Sequence, residues 1–207
     1  VSGRSFIGVN NASSPAWMQQ RLTAVGQRPI SALVDITNYI MIDLGRPLHA
    51  YDIDRIKGDT LTIRLAHNGE QIEALNEKTY TLDDTMLVIG DADGADDLAG
   101  IMGGQRSGIT DDTTAMFLEM AVFDPISVAT TGRKLNIHSD ARYRFERGLD
   151  VTSPDWAMDY VSAMVMDICG GEASEIECAG PGADWERSIA FRPVSYTHLR
   201  AHETSGY

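Results

Sequence analysis

The stretch "AMFLEMAVF", residues 115–123, decides the fold because it is apolar at both alternating sets of positions. In a strand, one face would carry Phe117, Glu119, Ala121 and Phe123, and the other would carry Met116, Leu118, Met120 and Val122. A strand with two apolar faces is covered on both sides and lies inside a sheet. The stretch "LAGIMGG", residues 98–104, has the same character, so we expect two central strands.

The remaining pattern places helices before and after a block of strands. The expected strands are residues 4–10, 61–66, 71–75, 78–82 and 86–90, with a hairpin turn at 76–78. The expected helices are residues 14–26, capped by Ser14, 31–45, 126–137 and 153–171, capped by Ser153. This order predicts an α+β fold with a mixed or antiparallel central sheet and flanking helices.

Composition excludes several classes of protein. The 207 residues are 43% hydrophobic and carry a formal net charge of −13, which argues against broad phosphate or DNA binding. No run of about 18 apolar residues is present, so no membrane span is expected. Cys169 and Cys178 are expected to be reduced thiols rather than a disulfide or zinc pair. We therefore expect a cytoplasmic protein.

The sequence predicts one large domain in a piece of a longer protein. It begins without Met and shows no signal-peptide pattern. We expect a domain over 1–178, a linker and the start of a truncated following domain over 179–194, and a non-native tail over 195–207. His198 and His202 lie four residues apart in this tail, and we do not interpret them as metal ligands.

Two tempting motifs fail. "GDADGADD", residues 90–97, has Ala95 and Asp96 where a calcium loop requires a ligand and a glycine, so an exposed acidic loop is expected. "GIMGGQRSG", residues 100–108, matches neither a P-loop nor a dinucleotide motif. Its glycines instead favour a tight turn or a close backbone approach. No nucleophile or metal motif is evident, so an enzyme of this sequence would work by positioning water.

Glu119 is the most informative polar residue because it interrupts an apolar strand. An unpaired buried carboxylate costs several kcal/mol, roughly, so Glu119 needs a partner. That partner is either an arginine or a hydroxyl or ammonium group of a ligand. His49, just beyond a predicted helix end, is open to a structural or a functional interpretation.

"SDARYRFERG", residues 139–148, also has two interpretations: a basic, aromatic strip for nucleic acid, or a helix start that lines a pocket. The helix start is favoured because Ser139 is a good N-cap and Asp140 suits the positive end of a helix. Arg142 and Glu146 are then expected to pair on the helix surface, while Phe145 returns to the core.

Four blocks together resemble a known family. "RPISALVDITNYIMIDLGRPLHAYD", "LAGIMGGQRSGITDDT", "FLEMAVFDP" and "HSDARYRFERGLD" occur in the order found in bacterial phenylalanyl-tRNA synthetase beta subunits. The resemblance covers about residues 4–193 and points to the B3/B4 editing-domain fold. Ser139 stands where some members carry Thr, which keeps the hydroxyl and removes a methyl group.

The resemblance implies post-transfer editing, the hydrolysis of tyrosine mischarged onto tRNA(Phe). The residues carried over as catalytic are Thr37, Asn38, His49 and Ser139, and those carried over as substrate-binding are Arg28, Gly100, Gly103, Glu119 and Ala141. It implies that Glu119 and the glycine-loop amides recognise the tyrosine hydroxyl. It further implies that His49 and Asn38 position the terminal adenosine, the ester and the attacking water.

The implied partners are the 3′ end of tRNA(Phe) and a synthetase alpha subunit in a heterotetramer. No metal or other cofactor is expected for this segment, since ATP and Mg²⁺ would bind elsewhere in the synthetase. Two alternatives stay open. One is a non-catalytic module that docks tRNA or a partner, and the other is a free-standing relative of the domain.

Overall fold

The computed structural model describes residues 1–180 and 188–190. Most of the predicted linker and following domain, and the whole predicted tail with His198 and His202, therefore lie outside the described residues. Within the described part, no helix is long and apolar enough to cross a membrane.

The described chain contains five α-helices, eleven strands and two short 3-10 helices, Ile53–Arg55 and Lys57–Asp59. The helices are α1 Ala16–Ala24, α2 Ala32–Asp43, α3 Pro125–Lys134, α4 Asp140–Phe145 and α5 Ser153–Cys169. The strands are β1 Ser2–Ile7, β2 His49–Asp52, β3 Thr62–Leu65, β4 Gln71–Glu73, β5 Thr79–Thr81, β6 Leu87–Asp91, β7 Gly94–Leu98, β8 Met102–Gly103, β9 Ala115–Met120, β10 Glu172–Ala173 and β11 Glu177–Cys178.

β9 occupies the interior of the first sheet, as its sequence predicts. The order is β10-β1-β9-β2, and β11 also pairs with β1. Met116, Leu118 and Met120 pack into a core with the buried faces of α1, α2 and α5. Phe117, Ala121 and Phe123 belong to a second core on the opposite side. One strand thus joins both cores, because its side chains alternate between two apolar faces.

The second core lies against a four-stranded sheet of order β3-β6-β7-β8, accompanied by the hairpin β4-β5. All strand pairs in the described residues are antiparallel. The predicted hairpin turn at 76–78 is confirmed, with Glu77 at a φ of 62°. The α+β prediction is confirmed, and its sheets are antiparallel rather than mixed.

Two predictions in the glycine-rich middle are wrong. "LAGIMGG" is a tight turn rather than one central strand, because Gly100 adopts a φ of +71° between β7 and β8. "GDADGADD" is not an exposed loop, since it forms the β6–β7 hairpin and buries Asp96 and Asp97. Arg106 makes this burial tolerable by placing its guanidinium 2.8 Å from the Asp96 carboxylate.

Three helix details also differ from prediction. Ser14 does not cap α1, because its hydroxyl donates 2.5 Å to the buried Asp35 carboxylate from the neighbouring helix. Ser153 is the first residue of α5, and its hydroxyl donates instead to the Asp150 carbonyl. Tyr160, expected on the buried face of α5, is exposed, and Met158 takes its place in the core.

α4 begins at the favoured boundary. The Ser139 hydroxyl accepts a hydrogen bond of 3.0 Å from the Arg142 N–H, and Phe145 is buried. The Arg142–Glu146 pair is present at 3.1 Å, but Arg142 is only 7% exposed. Its guanidinium lies where a Cβ at Gly132 would collide with it, so Arg142 is buried while Glu146 is half-buried. This arginine is therefore structural and not part of a nucleic-acid strip.

Candidate functional site

A cavity opens where the two sheets meet the start of α4. Its empty space, counted together with the solvent at its open mouth, is about 340 Å³. Its wall is formed by Pro47, Leu48, His49, Asp97, Gly100, Ile101, Met102, Gly103, Glu119, Phe123, Ala141 and Phe145. The first sheet contributes β2 and β9, and the second contributes β7 and β8. Mostly apolar walls with a few polar groups are typical of a small-molecule or side-chain pocket.

Glu119 lies in this wall directly opposite His49 in the β2–β9 pairing. It is 5% exposed, and its Oε1 atom makes no hydrogen bond within the described residues. No arginine or lysine nitrogen of these residues lies within 4 Å of the Glu119 carboxyl group. A direct arginine pair, one of the two expected partners, is thus not formed, and the pocket itself faces the carboxyl group.

Burial, together with the nearby Asp97 carboxyl, raises the pKa of the Glu119 carboxyl to about 8, although the positive charge of Arg46 opposes the shift. Burial likewise raises the pKa of Asp97 to about 7, although Tyr51 donates a hydrogen bond of 3.2 Å to its Oδ2 atom. Like charges in a low-dielectric site favour the protonated form. At neutral pH Glu119 is therefore protonated and able to donate as well as accept.

His49 is held as a neutral imidazole. Burial lowers its pKa to about 4, and its Nε2 atom makes no hydrogen bond within the described residues. The ring packs edge-on to Tyr51 with centroids 4.5 Å apart, and a Cβ at Gly103 would collide with it. The glycine thus gives His49 its place beside Glu119, and the neutral ring can accept or donate one hydrogen bond.

The glycine turn and the start of α4 are fastened together at the cavity edge. The Ser139 hydroxyl donates 2.6 Å to the carbonyl of Ile101, one residue after Gly100. A Cβ at Gly100 would approach Phe123 to 2.8 Å, so this position requires glycine by space as well as by its positive φ. The predicted close backbone approach of these glycines is therefore confirmed.

The structure brings together five of the nine predicted site residues. His49, Gly100, Gly103, Glu119 and Ala141 line the cavity.

The other four do not line it. Ser139 lies at its edge through the bond to Ile101, and Thr37 donates to the Val34 carbonyl of its own helix. Asn38 is half-buried on α2, and Arg28 is exposed in the turn before it. The catalytic and binding roles of all nine stay predictions.

Sequence reasoning missed three polar residues near the cavity. Asp97 lines it, Tyr51 binds Asp97, and Arg46 is 2% exposed with its charge near Glu119. Arg46 donates to the Ala121 carbonyl, but its Nε and Nη1 atoms make no hydrogen bond in the described part. The strand alternation after Gly94 could have indicated a buried position for Asp97, but the acidic composition of this stretch favoured an exposed loop. Nothing local marked Arg46.

Among residues 1–180 and 188–190, no three His, Cys, Asp or Glu side chains are placed to hold a metal ion together. Both cysteines are free thiols, as predicted.

Sequence comparison defines the class of this fold and cavity. Residues 1–170 match the B3/4 domain family, and the chain belongs to that family. Its relatives include the phenylalanine–tRNA ligase beta subunit of Paramagnetospirillum magneticum, 53% identical over 204 residues, which are 99% of this chain and 25% of the relative. The same subunit of Rhodospirillum rubrum is 50% identical over 197 residues, 95% of this chain and 25% of the relative.

A further relative, the beta subunit of Zymomonas mobilis, is 46% identical over 203 residues, 98% of this chain and 26% of the relative. The chain thus spans about a quarter of the length of these relatives. The resemblance found in the four sequence blocks is confirmed.

Proposed function

We propose that this chain is the editing module of a phenylalanine–tRNA ligase beta subunit and hydrolyses tyrosine mischarged onto tRNA(Phe). The observation that carries the proposal is Glu119, buried in the cavity wall with an oxygen that has no partner among the described residues. A ligand hydroxyl group would complete its hydrogen bonding.

Selection of tyrosine over phenylalanine depends on that single hydroxyl. A site built to bind a hydroxyl can reject the analogue that lacks it by about 10⁴-fold, because its own polar groups would stay unpaired. With a phenylalanyl ester in the cavity, Glu119 would face only ring carbon. Phe123 and Phe145 in the same wall supply apolar contact to either ring, so the carboxyl group makes the distinction.

The hydrolytic step needs orientation more than a nucleophile, because an aminoacyl ester is already activated. The water oxygen forms a bond to the ester carbon, the ester C–O bond breaks, and the terminal ribose oxygen leaves with a proton. His49 and Asn38 would position the adenosine, the ester and the water so that the developing oxyanion is stabilised, whereas the backbone amides of the glycine turn would bind the tyrosine hydroxyl together with Glu119. A ribose hydroxyl of the tRNA itself would assist proton transfer.

The partners follow from the same proposal. The 3′ end of tRNA(Phe) would enter the cavity, and the net charge of −13 favours a main tRNA-binding surface in other parts of the synthetase. The alpha subunit would be the partner of this chain's subunit in the heterotetramer. The segment would use no cofactor of its own, with ATP and Mg²⁺ serving aminoacylation elsewhere. The reaction would take place in the cytoplasm.

The test uses a complete synthetase in which residues 1–193 replace the corresponding module of a relative. Deacylation of Tyr-tRNA(Phe) and Phe-tRNA(Phe) is measured for this enzyme, for Glu119→Ala and for the control Glu73→Ala, which removes an exposed carboxylate from β4. We expect the unmutated module and the control to hydrolyse the tyrosyl ester selectively. Glu119→Ala should lower this selectivity by at least about 10²-fold.

If the unmutated enzyme aminoacylates normally but leaves both esters intact, editing is refuted, and the domain is then a docking module. If Glu119→Ala folds and retains full selectivity, the carboxyl group is not the discriminator. Circular dichroism of each variant establishes that loss of activity is not loss of fold.

A further inference from the structure

Two buried carboxyl groups line the cavity and one buried guanidinium lies near them, and only part of their hydrogen-bonding capacity is used. Asp97 is 4% exposed and Glu119 5%, and both line the wall. Tyr51 supplies one hydrogen bond to Asp97. Arg46 contributes a positive charge near Glu119 without an ion pair to it, since one of its nitrogens binds the Ala121 carbonyl.

The backbone pairing explains why two residues 22 positions apart in sequence meet here. Asp97 pairs with Gly103 across β7 and β8, and Gly103 packs against the ring of His49. His49 in turn is the cross-strand partner of Glu119. Asp97 and Glu119 therefore approach the same cavity from two different sheets, and the His49 ring in the same wall contacts Gly103, the pairing partner of Asp97.

The charges of this group balance only if one carboxyl group is protonated. Arg46 carries one positive charge, because burial lowers the pKa of its guanidinium only to about 10. His49 is neutral, and two ionised carboxylates would leave a net negative charge in a buried site, which is costly. One proton between Asp97 and Glu119 makes the cluster neutral.

We infer that Asp97 is a positioning residue of this cavity: Asp97 and Glu119 hold one proton between them, balanced by Arg46, and this proton lets Glu119 donate a hydrogen bond to a hydroxyl group of the ligand. The inference rests on the proposed function for the identity of that hydroxyl as the phenol of a tyrosyl ester. A phenol can donate one hydrogen bond and accept another. Two carboxyl groups that share one proton can accept the first and donate the second.

Other charged groups also shift the pKa values of Glu119 and Asp97. The guanidinium of Arg46 lowers the pKa of Glu119, as does the amine of Val1 in the 207-residue chain, whereas Asp97 raises it. Asp96, adjacent on β7, raises the pKa of Asp97 and is itself held by Arg106. Interacting acids lose their protons in two steps that belong to the pair.

The test follows the side-chain carboxyl carbons by ¹³C NMR during a pH titration of the 207-residue chain, with the Glu119 signal assigned by its absence in Glu119→Gln. We expect Glu119 to titrate well above the ordinary range for glutamate. Asp97→Asn should lower this midpoint by about one pH unit, because the like charge is removed. The matched control Asp93→Asn removes an exposed carboxylate from the same hairpin and should leave the midpoint in place.

If Asp97→Asn does not fold, Asp97→Ser takes its place, because it also removes the negative charge and should lower the Glu119 midpoint in the same way. A Glu119 midpoint near 4.5, or one that neither Asp97 variant moves, overturns the inference.

A functional readout separates this inference from the proposed function. In the complete synthetase, selective tyrosyl-ester hydrolysis should decline with rising pH at the alkaline Glu119 midpoint, and Asp97→Asn should move that decline to lower pH. If the NMR midpoints behave as expected while the unmutated enzyme hydrolyses neither ester, the proton pair stands and the editing proposal fails. If editing is selective but its pH profile is unchanged in Asp97→Asn, the inference alone fails.

Discussion

Two buried carboxyl groups in this protein show the difference between a structural acid and a site acid. Asp35 on α2 is 1% exposed, and it accepts the Ser14 hydroxyl at 2.5 Å and the Ile30 N–H at 2.8 Å. Glu119 on β9 is almost equally buried but leaves one oxygen without a hydrogen bond in the described structure. Folding explains the contacts of Asp35. The unpaired oxygen of Glu119 has no such explanation in the fold, and the proposed ligand contact rests on it.

The largest expected effect on stability comes from removing the structural carboxyl group, Asp35. Asp35→Ala leaves the Ser14 hydroxyl and the Ile30 N–H buried without their acceptor, and each orphaned group costs about 1–3 kcal/mol. We expect the free energy of unfolding in urea to fall by about 2–4 kcal/mol. A loss below about 0.5 kcal/mol would show that Asp35 is not needed to hold the α1–α2 turn.

Replacing Glu119 should have the opposite effect on the free energy of unfolding at alkaline pH. In the folded chain Glu119 keeps its proton up to a pKa of about 8, whereas an unfolded glutamate ionises at its ordinary value of 4.5. Stability is therefore lost as the pH rises from 4.5 to 8, since the folded state binds more protons over that interval. Glu119→Gln does not titrate and escapes this loss.

We expect the stability of Glu119→Gln relative to the unmutated chain to increase by about 1–3 kcal/mol between pH 5 and pH 9. Urea unfolding at the two pH values measures the difference, and Glu73→Gln on exposed β4 serves as the control. A constant difference across this range would mean that Glu119 ionises normally in the fold.

The smallest expected effect concerns Ser139, which joins the start of α4 to the glycine turn at the cavity edge. Ser139→Ala removes both the N-cap of α4 and the bond to the Ile101 carbonyl. We expect a loss of about 1 kcal/mol in unfolding free energy, the usual value of an N-cap. Ser139→Thr keeps the hydroxyl and should retain most of that stability, while the added methyl group narrows the cavity edge.

Local sequence patterns correctly predicted those elements whose position depends on nearby residues alone. The alternating apolar faces of residues 115–123 placed β9 in the interior, and the Ser139 N-cap located the start of α4. The same patterns failed for Asp96 and Asp97, because the buried Asp96 is paired with Arg106 and the buried Asp97 accepts a hydrogen bond from Tyr51, two contacts that depend on the tertiary fold. Acidic composition alone indicates solvent exposure, and only the hairpin with its cation reverses that expectation.

The candidate site was predictable to a similar extent. Glu119, His49 and the glycines were found because they break an apolar pattern or belong to blocks that resemble a family. Arg46 was not predicted, because its contacts are distant in sequence. It donates a hydrogen bond to the Ala121 carbonyl, and its charge lies near Glu119. Long-range pairing supplies these contacts, and no local spacing encodes them.

The edge of the first sheet has a practical consequence for grafting. β1 pairs with β11, and the Val1 nitrogen donates 2.9 Å to the Ala179 carbonyl, so residues 1 and 179 are spatial neighbours. A unit whose two attachment points lie side by side can be spliced into a host polypeptide without stretching it. Exchanging such units between subunits thus requires matching only two adjoining junctions, which allows cavities of different shape to be compared in one host.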